Sequence, residues 1–214
     1  MKKTLCAIAV VAAFSSSNVL AHEKGDFFVR AGVASVIPND SSDGILGTSS
    51  QLAVNSDTQL GLNLDYMMSD NVGIELLAAT PFSHEISTDL GGLGNIGKTK
   101  HLPPTLMAEY YFGDSQSAWR PYIGAGVNYT TFFDSSFNST GTNAGLSDLS
   151  LDDSWGLAAN IGVDYKLNEN WFLNASIWYA NIETTAHYKA GTESKSTDVK
   201  INPVVVMLSG GYKF

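Results

Sequence analysis

The last residues of the chain, VVVMLSGGYKF (204–214), alternate in character along their length. Counting back from Phe214, every second residue is apolar or glycine, whereas the residues between them include Lys213, Ser209 and Met207. In a β-strand successive side chains point to opposite faces, which gives this period of two. The stretch therefore predicts a strand with one apolar and one mixed face that runs to a terminal aromatic residue.

The rest of the chain repeats this pattern in seven further segments. With the terminal one, the segments are 26–37, 52–68, 72–86, 101–112, 120–133, 151–167, 171–188 and 197–214. The connections 69–71, 113–118 and 168–170 are short, whereas 38–50, 87–100, 137–150 and 190–196 are longer and rich in Gly, Ser, Asn and Asp. Short turns on one side and long loops on the other are typical of outer-membrane barrels. We therefore predict an all-β fold, an eight-stranded antiparallel transmembrane β-barrel.

A soluble, lipocalin-like barrel would also be up-and-down and eight-stranded. The positions of the aromatic residues favour the membrane form, because they form two girdles like those that flank a lipid-facing band. The girdle near the short turns comprises Tyr66, Tyr110, Phe112, Tyr165, Trp171, Tyr212 and Phe214, and the one near the loops Phe82, Trp155 and Tyr179. The face opposite the apolar one carries charged residues, which also disfavours the lipocalin-like barrel with its apolar ligand cavity.

The N-terminus has the pattern of a secretory signal peptide. Lys2 and Lys3 precede an apolar run at 5–14, and small residues lead to Ala21. We predict that 1–21 is a signal peptide and that 22–214 is the barrel. Cys6, the single cysteine, falls within the signal, so the barrel has no disulfide.

The chain is acidic, with a formal net charge of −9, which argues against a nucleic-acid partner. Many acids fall in the predicted loops: Asp40, Asp43, Asp89, Asp148, Asp152 and Asp153. They are either solvated loop acids or residues that bridge divalent cations to a charged surface.

Seven charged residues belong to the inward-facing set near the short turns: Arg30, Asp65, Glu75, Glu109, Asp164, Lys166 and Lys213. Lone charges are costly in a low-dielectric interior, so we expect them to pair with one another. An eight-stranded barrel is only wide enough to be filled by side chains. These charges therefore predict a polar plug, which either serves the barrel's structure alone or forms a proton or ion conduit.

Four apolar residues of the same inward set lie at mid-depth: Leu77, Met107, Trp178 and Met207. They predict either the floor of an apolar pocket that opens toward the long loops or a dry packed core. Pockets for small ligands are mostly apolar, and methionine adapts to varied shapes. Nearby amide and hydroxyl groups at Asn63, Asn128, Asn160, Asn174 and Ser176 could supply hydrogen bonds.

No motif indicates catalysis or a bound metal. His84, His101 and His187 fall near the loop side without the close spacing of zinc ligands, and His22 is terminal. No GxSxG motif is present. We expect neither an enzyme nor a cofactor, and no metal site.

Several long motifs together resemble the outer membrane protein W (OmpW) family. They are DTQLGLNLDYM (57–67), GIELLAATPF (73–82), HLPPTLMAEYYFG (101–113), RPYIGAGVNYTTFF (120–133), GLSDLSLDDSWG (145–156) and GYKF (211–214). The resemblance covers nearly the whole chain after the signal. It implies a small barrel in the outer membrane of Gram-negative bacteria, surrounded by lipid, that passes small hydrophobic or amphiphilic molecules and releases them sideways through its wall.

The resemblance also implies roles for particular residues. Leu77 in GIELLAATPF and Trp178 in FLNASIWY match a hydrophobic gate of the family, and the terminal aromatic strand is what outer-membrane assembly machinery reads. The competing hypothesis is a structural or receptor-type barrel whose external loops bind partners.

Overall fold

The computed structural model describes residues 22–214, and the predicted signal peptide at 1–21 lies outside them. Its strands are β1 (Phe27–Ile37), β2 (Ser41–Ser42), β3 (Leu52–Val54), β4 (Asp57–Met67), β5 (Val72–Ala79), β6 (Phe82–Thr88), β7 (Gly94–Leu102), β8 (Thr105–Tyr111), β9 (Trp119–Phe137), β10 (Leu146–Leu151), β11 (Ser154–Lys166), β12 (Trp171–Ala180), β13 (Glu183–Ala190), β14 (Glu193–Lys200) and β15 (Val204–Lys213). A short helix, α1 (Ser139–Asn143), follows β9, and 3₁₀ turns lie at Ile45–Gly47 and Leu90–Gly92.

Eight of these strands close into an antiparallel barrel. Their order is β11-β12-β15-β1-β4-β5-β8-β9, and β9 pairs back onto β11. The last strand closes the ring, because Tyr212 lies opposite both Val29 of β1 and Trp171 of β12. The Phe214 N–H donates to the Phe27 carbonyl at 3.0 Å. The eight-stranded antiparallel barrel predicted from the sequence is confirmed.

The two faces of the barrel wall differ as the period of two requires. The outward face carries large apolar side chains that are widely exposed, among them Val33, Leu60, Trp155, Leu157, Ile161, Leu208 and Phe214. The inward face is buried, as the alternating burial of β4 and β12 shows. Monomeric soluble proteins rarely expose an apolar belt of this extent, so the outer face requires an apolar surrounding. Among residues 22–214, no helix has the length and apolar character needed to cross a membrane.

Beyond the closed barrel, the strands continue into two outer sheets. One sheet joins the far half of β9 to β7, β6 and β3, and the other has the order β10-β13-β14-β2. Much of the predicted loop 87–100 is thus strand, since β7 begins at Gly94.

The predicted long loop at 190–196 is wrong, because β13 and β14 are joined through Gly191 and Thr192 alone. Gly191 has φ 62, a value that glycine adopts without steric cost. The predicted continuous strand at 197–214 is also interrupted, at Asn202 (φ 36) and Pro203. Proline has no N–H to donate to the ladder, and strands commonly break there.

Candidate functional site in the barrel lumen

A buried guanidinium lies at the centre of the lumen, near the short turns. Arg30 Nη1 donates to Asp65 Oδ1 and to Glu75 Oε2, each at 2.7 Å. Its Nη2 donates to the Tyr111 hydroxyl at 2.7 Å and to Asp164 Oδ2 at 2.8 Å. Arg30 is 0 % exposed. One cation thus directly joins three carboxylates from three other strands.

The carboxylates in turn receive hydrogen bonds from neutral groups. Glu109 accepts from the Tyr111 hydroxyl at 2.7 Å and from Asn160 Nδ2 at 2.6 Å. Asn63 donates to Glu75, and Asn174 Nδ2 donates to Asp164 Oδ1 at 2.7 Å. We call Arg30, Asp65, Glu75, Glu109 and Asp164 the charged cluster. Buried charges persist when they are paired and hydrogen-bonded in this way.

Five of the seven predicted lumen charges belong to the charged cluster, and the other two lie outside it. Lys166 and Lys213 end β11 and β15, one layer nearer the short turns. Lys213 Nζ instead pairs with Asp26 Oδ2 at 3.1 Å, where both side chains are partly exposed. The prediction grouped these lysines with the others because it resolved depth only to about one layer.

Two residues that the sequence reasoning did not assign complete the floor of the lumen. The His22 ring stacks on Phe28 at a centroid distance of 4.1 Å, and its Nε2 donates to Asp164 Oδ2 at 2.8 Å. Its carbonyl accepts from Arg120 Nη1 at 2.6 Å.

The alternation along the strands could have predicted Arg120 but not His22. Arg120 shares the inward parity of Tyr122 in β9, so the alternation could have revealed it. His22 precedes the first strand, and no periodicity applies to it.

Aromatic rings fill the space around the charged cluster. They are Phe28, Tyr111, Tyr122 and Phe172, with Met67 beside them. The Tyr122 ring lies so close to Gly162 that a Cβ there would approach its ring carbon Cζ within 2.3 Å. Glycine in β11 therefore makes room for the ring, and the short-turn end of the lumen is closely filled.

An apolar cavity of about 40 Å³ lies above the charged cluster, and we call it the lumen cavity. Leu77, Trp178 and Met207 line it, and Met107 packs against Trp178 beside it. The Trp178 Nε1–H donates to Ser176 Oγ at 3.0 Å, which satisfies the one polar atom of the indole. The four apolar residues predicted at mid-depth are therefore brought together at one level.

The barrel wall beside the lumen cavity is interrupted. The ladder between β5 and β8 ends at the pair Leu77 and Thr105, and the ladder between β6 and β7 begins at Phe82 and His101. Between these pairs lie Pro81, Pro103 and Pro104, which have no N–H to donate. Ala78, Ala79 and Pro103 at this interruption also line the cavity.

The interruption lies at the level of the outer aromatic girdle. The Tyr129 N–H donates to the Pro104 carbonyl at 3.0 Å, and the Tyr129 ring packs on Trp155 with centroids 4.8 Å apart. Trp155 is 74 % exposed on the outer face. Aromatic girdles mark the boundary between the lipid and the aqueous phase, so the gap in the ladder lies at that boundary.

A second apolar cavity, of about 30 Å³, lies between the two outer sheets, and we call it the outer cavity. Ile45, Ile86, Ile96 and Tyr188 are among the residues that line it. His84 and His101 also line it, and His101 borders the lumen cavity as well. Burial lowers the pKa of His84, and burial together with the neighbouring His84 ring lowers the pKa of His101 to about 3. Both rings are therefore neutral near pH 7.

The closed barrel, its apolar outer belt and the filled short-turn end define a small outer-membrane β-barrel protein. The OmpW family model matches residues 23–214, and the chain belongs to that family. Outer membrane protein W of Vibrio cholerae serotype O1 is 70 % identical over 217 residues, covering 100 % of both chains. The protein is thus located in the outer membrane. Barrels of this class have their short turns on the periplasmic side.

Two other comparisons extend the relationship. The crystal structure of the outer membrane protein OprG from Pseudomonas aeruginosa superimposes with a TM-score of 0.86 at 43 % identity, covering 92 % of this chain and 99 % of that chain. A more distant relative, the dibenzothiophene metabolism operon protein PahQ of Pseudomonas aeruginosa, is 27 % identical over 157 residues, covering 72 % of this chain and 71 % of its own.

Proposed function

We propose that this barrel takes up small hydrophobic molecules from the external side, holds them in the lumen cavity against Leu77, Trp178, Met107 and Met207, and releases them sideways into the membrane. The observation that carries the proposal is an apolar cavity directly beside an interruption of the wall. A relative named for a dibenzothiophene metabolism operon supports it, because dibenzothiophene is an apolar molecule.

The binding energy in this proposal comes from the removal of apolar surface from water. Each methylene that enters the lumen cavity contributes about 0.8 kcal/mol. Trp178 is 3 % exposed and Met207 is 1 % exposed, so both side chains are buried in the wall of the cavity. Such a site binds molecules by size and apolarity, and methionine side chains adapt to differences in shape.

The charged cluster accounts for a sideways rather than a straight route. Arg30, its carboxylates and the aromatic rings around them fill the lumen below the cavity. An apolar molecule that passed through this layer would have to separate buried ion pairs, which is strongly unfavourable. The charged cluster in this proposal is a plug for the periplasmic end.

The exit in this proposal is the interruption between β5–β6 and β7–β8. Opening a wall normally breaks backbone hydrogen bonds, and unsatisfied backbone groups are costly in hydrocarbon. Pro103 and Pro104 contribute no N–H there, so parting the strands at this level leaves fewer donors unsatisfied. The route requires no covalent chemistry, and we assign the protein no enzymatic activity, cofactor or metal.

Substitution of Trp178 tests the site. Trp178→Ala removes the largest apolar side chain of the lumen cavity, and we expect its affinity for decane to fall about tenfold or more. Leu77→Ser, which places a hydroxyl in the same cavity, should weaken binding in the same direction. Trp155→Ala is the matched control, because Trp155 faces outward. Equal affinities in Trp178→Ala, Leu77→Ser and the control would refute the assignment.

A second part of the proposal concerns the terminal strand and the assembly of the barrel in the outer membrane. Phe214 is exposed on the outer face beside Tyr212, with ring centroids 5.0 Å apart. We propose that outer-membrane assembly machinery reads this strand. Phe214→Ala should reduce the folded protein in the outer membrane without changing its refolding in detergent, and unchanged assembly in cells would contradict the proposal.

A further inference from the structure

Two buried imidazole rings lie where the lumen cavity and the outer cavity meet: His101 lines both cavities, and His84 lines the outer cavity. His84 and His101 stack with centroids 4.8 Å apart and an interplanar angle of 5°. Each is 2 % exposed. Phe82 stacks on His101 from one side at 5.4 Å, and Phe132 packs against it at 5.9 Å. The pair is therefore a polar feature between two cavities whose linings are mostly apolar.

Each ring has a nitrogen without a partner in the part of the chain that the structure describes. These atoms are His84 Nε2 and His101 Nδ1, and both are buried. His84 Nδ1 lies 2.6 Å from the Asn55 carbonyl oxygen, which can only accept, so Nδ1 carries the hydrogen. Nε2 of His84 is then a free acceptor. Buried polar atoms are usually hydrogen-bonded, and an exception at a cavity wall points to a ligand.

The position of the pair fits one end of an elongated ligand. His101 lines the same cavity as Leu77 and Trp178, so a single molecule within that cavity can contact both the imidazole and the apolar gate. Apolar side chains such as Met207 and Val205 also line this cavity. The hydrocarbon part of a ligand would lie there, and its polar end would meet the histidines.

The charge state of the two histidines limits which polar groups of a ligand they can bind. Both rings are neutral near pH 7, because burial lowers the pKa of each. A neutral imidazole in apolar surroundings offers a hydrogen bond but no countercharge, and burying an unpaired ion is costly. A hydroxyl group can donate to the free Nε2 of His84, and a hydroxyl or carbonyl oxygen can accept from Nδ1 of His101 when that atom carries the hydrogen, without that cost.

We propose that His84 and His101 form a head-group site for a single hydroxyl or carbonyl group on a small apolar molecule whose hydrocarbon chain lies in the lumen cavity. This inference rests on the proposed function and refines it, because it names a preferred substrate class: medium-chain alcohols and ketones rather than plain hydrocarbons.

Titration of the full-length barrel in detergent micelles with decane, 1-decanol and 2-decanone tests the inference. We expect 1-decanol and 2-decanone to bind about tenfold more tightly than decane, a difference of ~1.4 kcal/mol. His84→Phe and His101→Phe each keep a flat ring in the stack and remove its nitrogens. His101→Phe should reduce the preference for both ligands over decane, and His84→Phe the preference for 1-decanol, whose hydroxyl can donate to Nε2. His187→Phe is the matched control, since His187 is an exposed residue that pairs with Asp152.

The outcomes separate the two proposals. A preference for the alcohol and ketone that persists in both variants, and in the double variant, would overturn the head-group site while leaving the lumen cavity intact. Failure of all three ligands to bind the unaltered protein would overturn the proposed function, and this inference with it. Heat-dependent mobility on gels establishes that each variant is folded before it is titrated.

Discussion

Arg30 and Asp164 form an ion pair across the lumen, with Nη2 2.8 Å from Oδ2. The two residues are 134 positions apart in the chain, and β12 and β15 separate their strands in the sheet. The pair is therefore a cross-lumen contact rather than a neighbour contact within the wall. With Asp65 and Glu75 on the same guanidinium, it ties strands on opposite sides of the barrel together.

Replacement of Arg30 tests how much this contact contributes to the stability of the barrel. Arg30→Met would leave buried carboxylates without their cation, and we expect a loss of about 3–5 kcal/mol in the free energy of unfolding. Urea unfolding in lipid vesicles measures this quantity. Lys195→Met is the control, because Lys195 pairs with Glu193 at the exposed surface, and its loss should leave the free energy of unfolding nearly unchanged. Similar losses in the two variants would contradict a charged cluster held by Arg30.

His22 provides a second test, directed at the floor of the lumen. His22→Ala would remove the stack on Phe28 and the bond to Asp164, and we expect more frequent or larger conductance events in planar bilayers. Aromatic pairs of this kind contribute about 0.5–1.5 kcal/mol beyond their buried area, so the barrel itself should remain folded. Recordings of His187→Ala provide the baseline. Conductance events of the same frequency and size in His22→Ala and His187→Ala would mean that the closure of the lumen floor does not depend on His22.

The prolines at the wall interruption bear on the exit route. Replacing Pro103 and Pro104 with alanine supplies two backbone N–H donors, which allow the ladder to close. We expect transfer of decane into the bilayer of vesicles to slow several-fold while its affinity for the protein stays the same. Pro121→Ala is the control, because Pro121 lies opposite Val163, far from the interruption. Unchanged transfer in the double variant would place the exit elsewhere.

The buried histidines predict a pH dependence of stability. The pKa of His101 is about 3 in the folded protein, because burial and the His84 ring lower it, whereas an unfolded histidine has a pKa of about 6.5. Between these values the unfolded chain binds a proton that the folded chain does not. The free energy of unfolding therefore falls as the pH drops from about 6.5 toward 3, by at most ~1.4 kcal/mol per pH unit.

Comparison with His101→Phe isolates this contribution from that of the acids. The variant should lose stability less steeply between pH 6.5 and 4, as measured by hydrogen exchange of amides in β6 and β7. Parallel slopes in the two proteins would show that His101 does not remain neutral in the folded state.

The alternation of residues along the strands is enough to predict which side chains face the lumen. Arg30, Glu75 and Trp178 were assigned inward because each alternates with apolar residues in a strand whose outer face is continuous. The period of two fixes the face of every residue in a strand, and the distance from the short turns fixes its approximate depth. Both kinds of information are local to the sequence.

The positions of His22 and of the stacked histidines depend on contacts between residues far apart in the chain, which a local sequence pattern does not predict. His22 lies before β1 and is held by residues distant in the chain, such as Asp164 and Arg120. The stack of His84 on His101 arises from the pairing of β6 with β7, and most of β7 falls in the predicted loop 87–100. Serine- and threonine-rich strands of the outer sheets resemble loops in composition, because their exposed faces are polar.

The central claim is that small hydrophobic molecules occupy the lumen cavity above an intact charged cluster. The most direct measurement is the nuclear Overhauser contacts of isotope-labelled 1-decanol bound to the full-length barrel in detergent micelles. We predict contacts with the Trp178 indole and the methyl groups of Leu77 and Met207, and none with Phe28 or Tyr122 in the filled floor. Contacts confined to outward-facing residues such as Leu157, or contacts with the rings beside Arg30, would contradict the account.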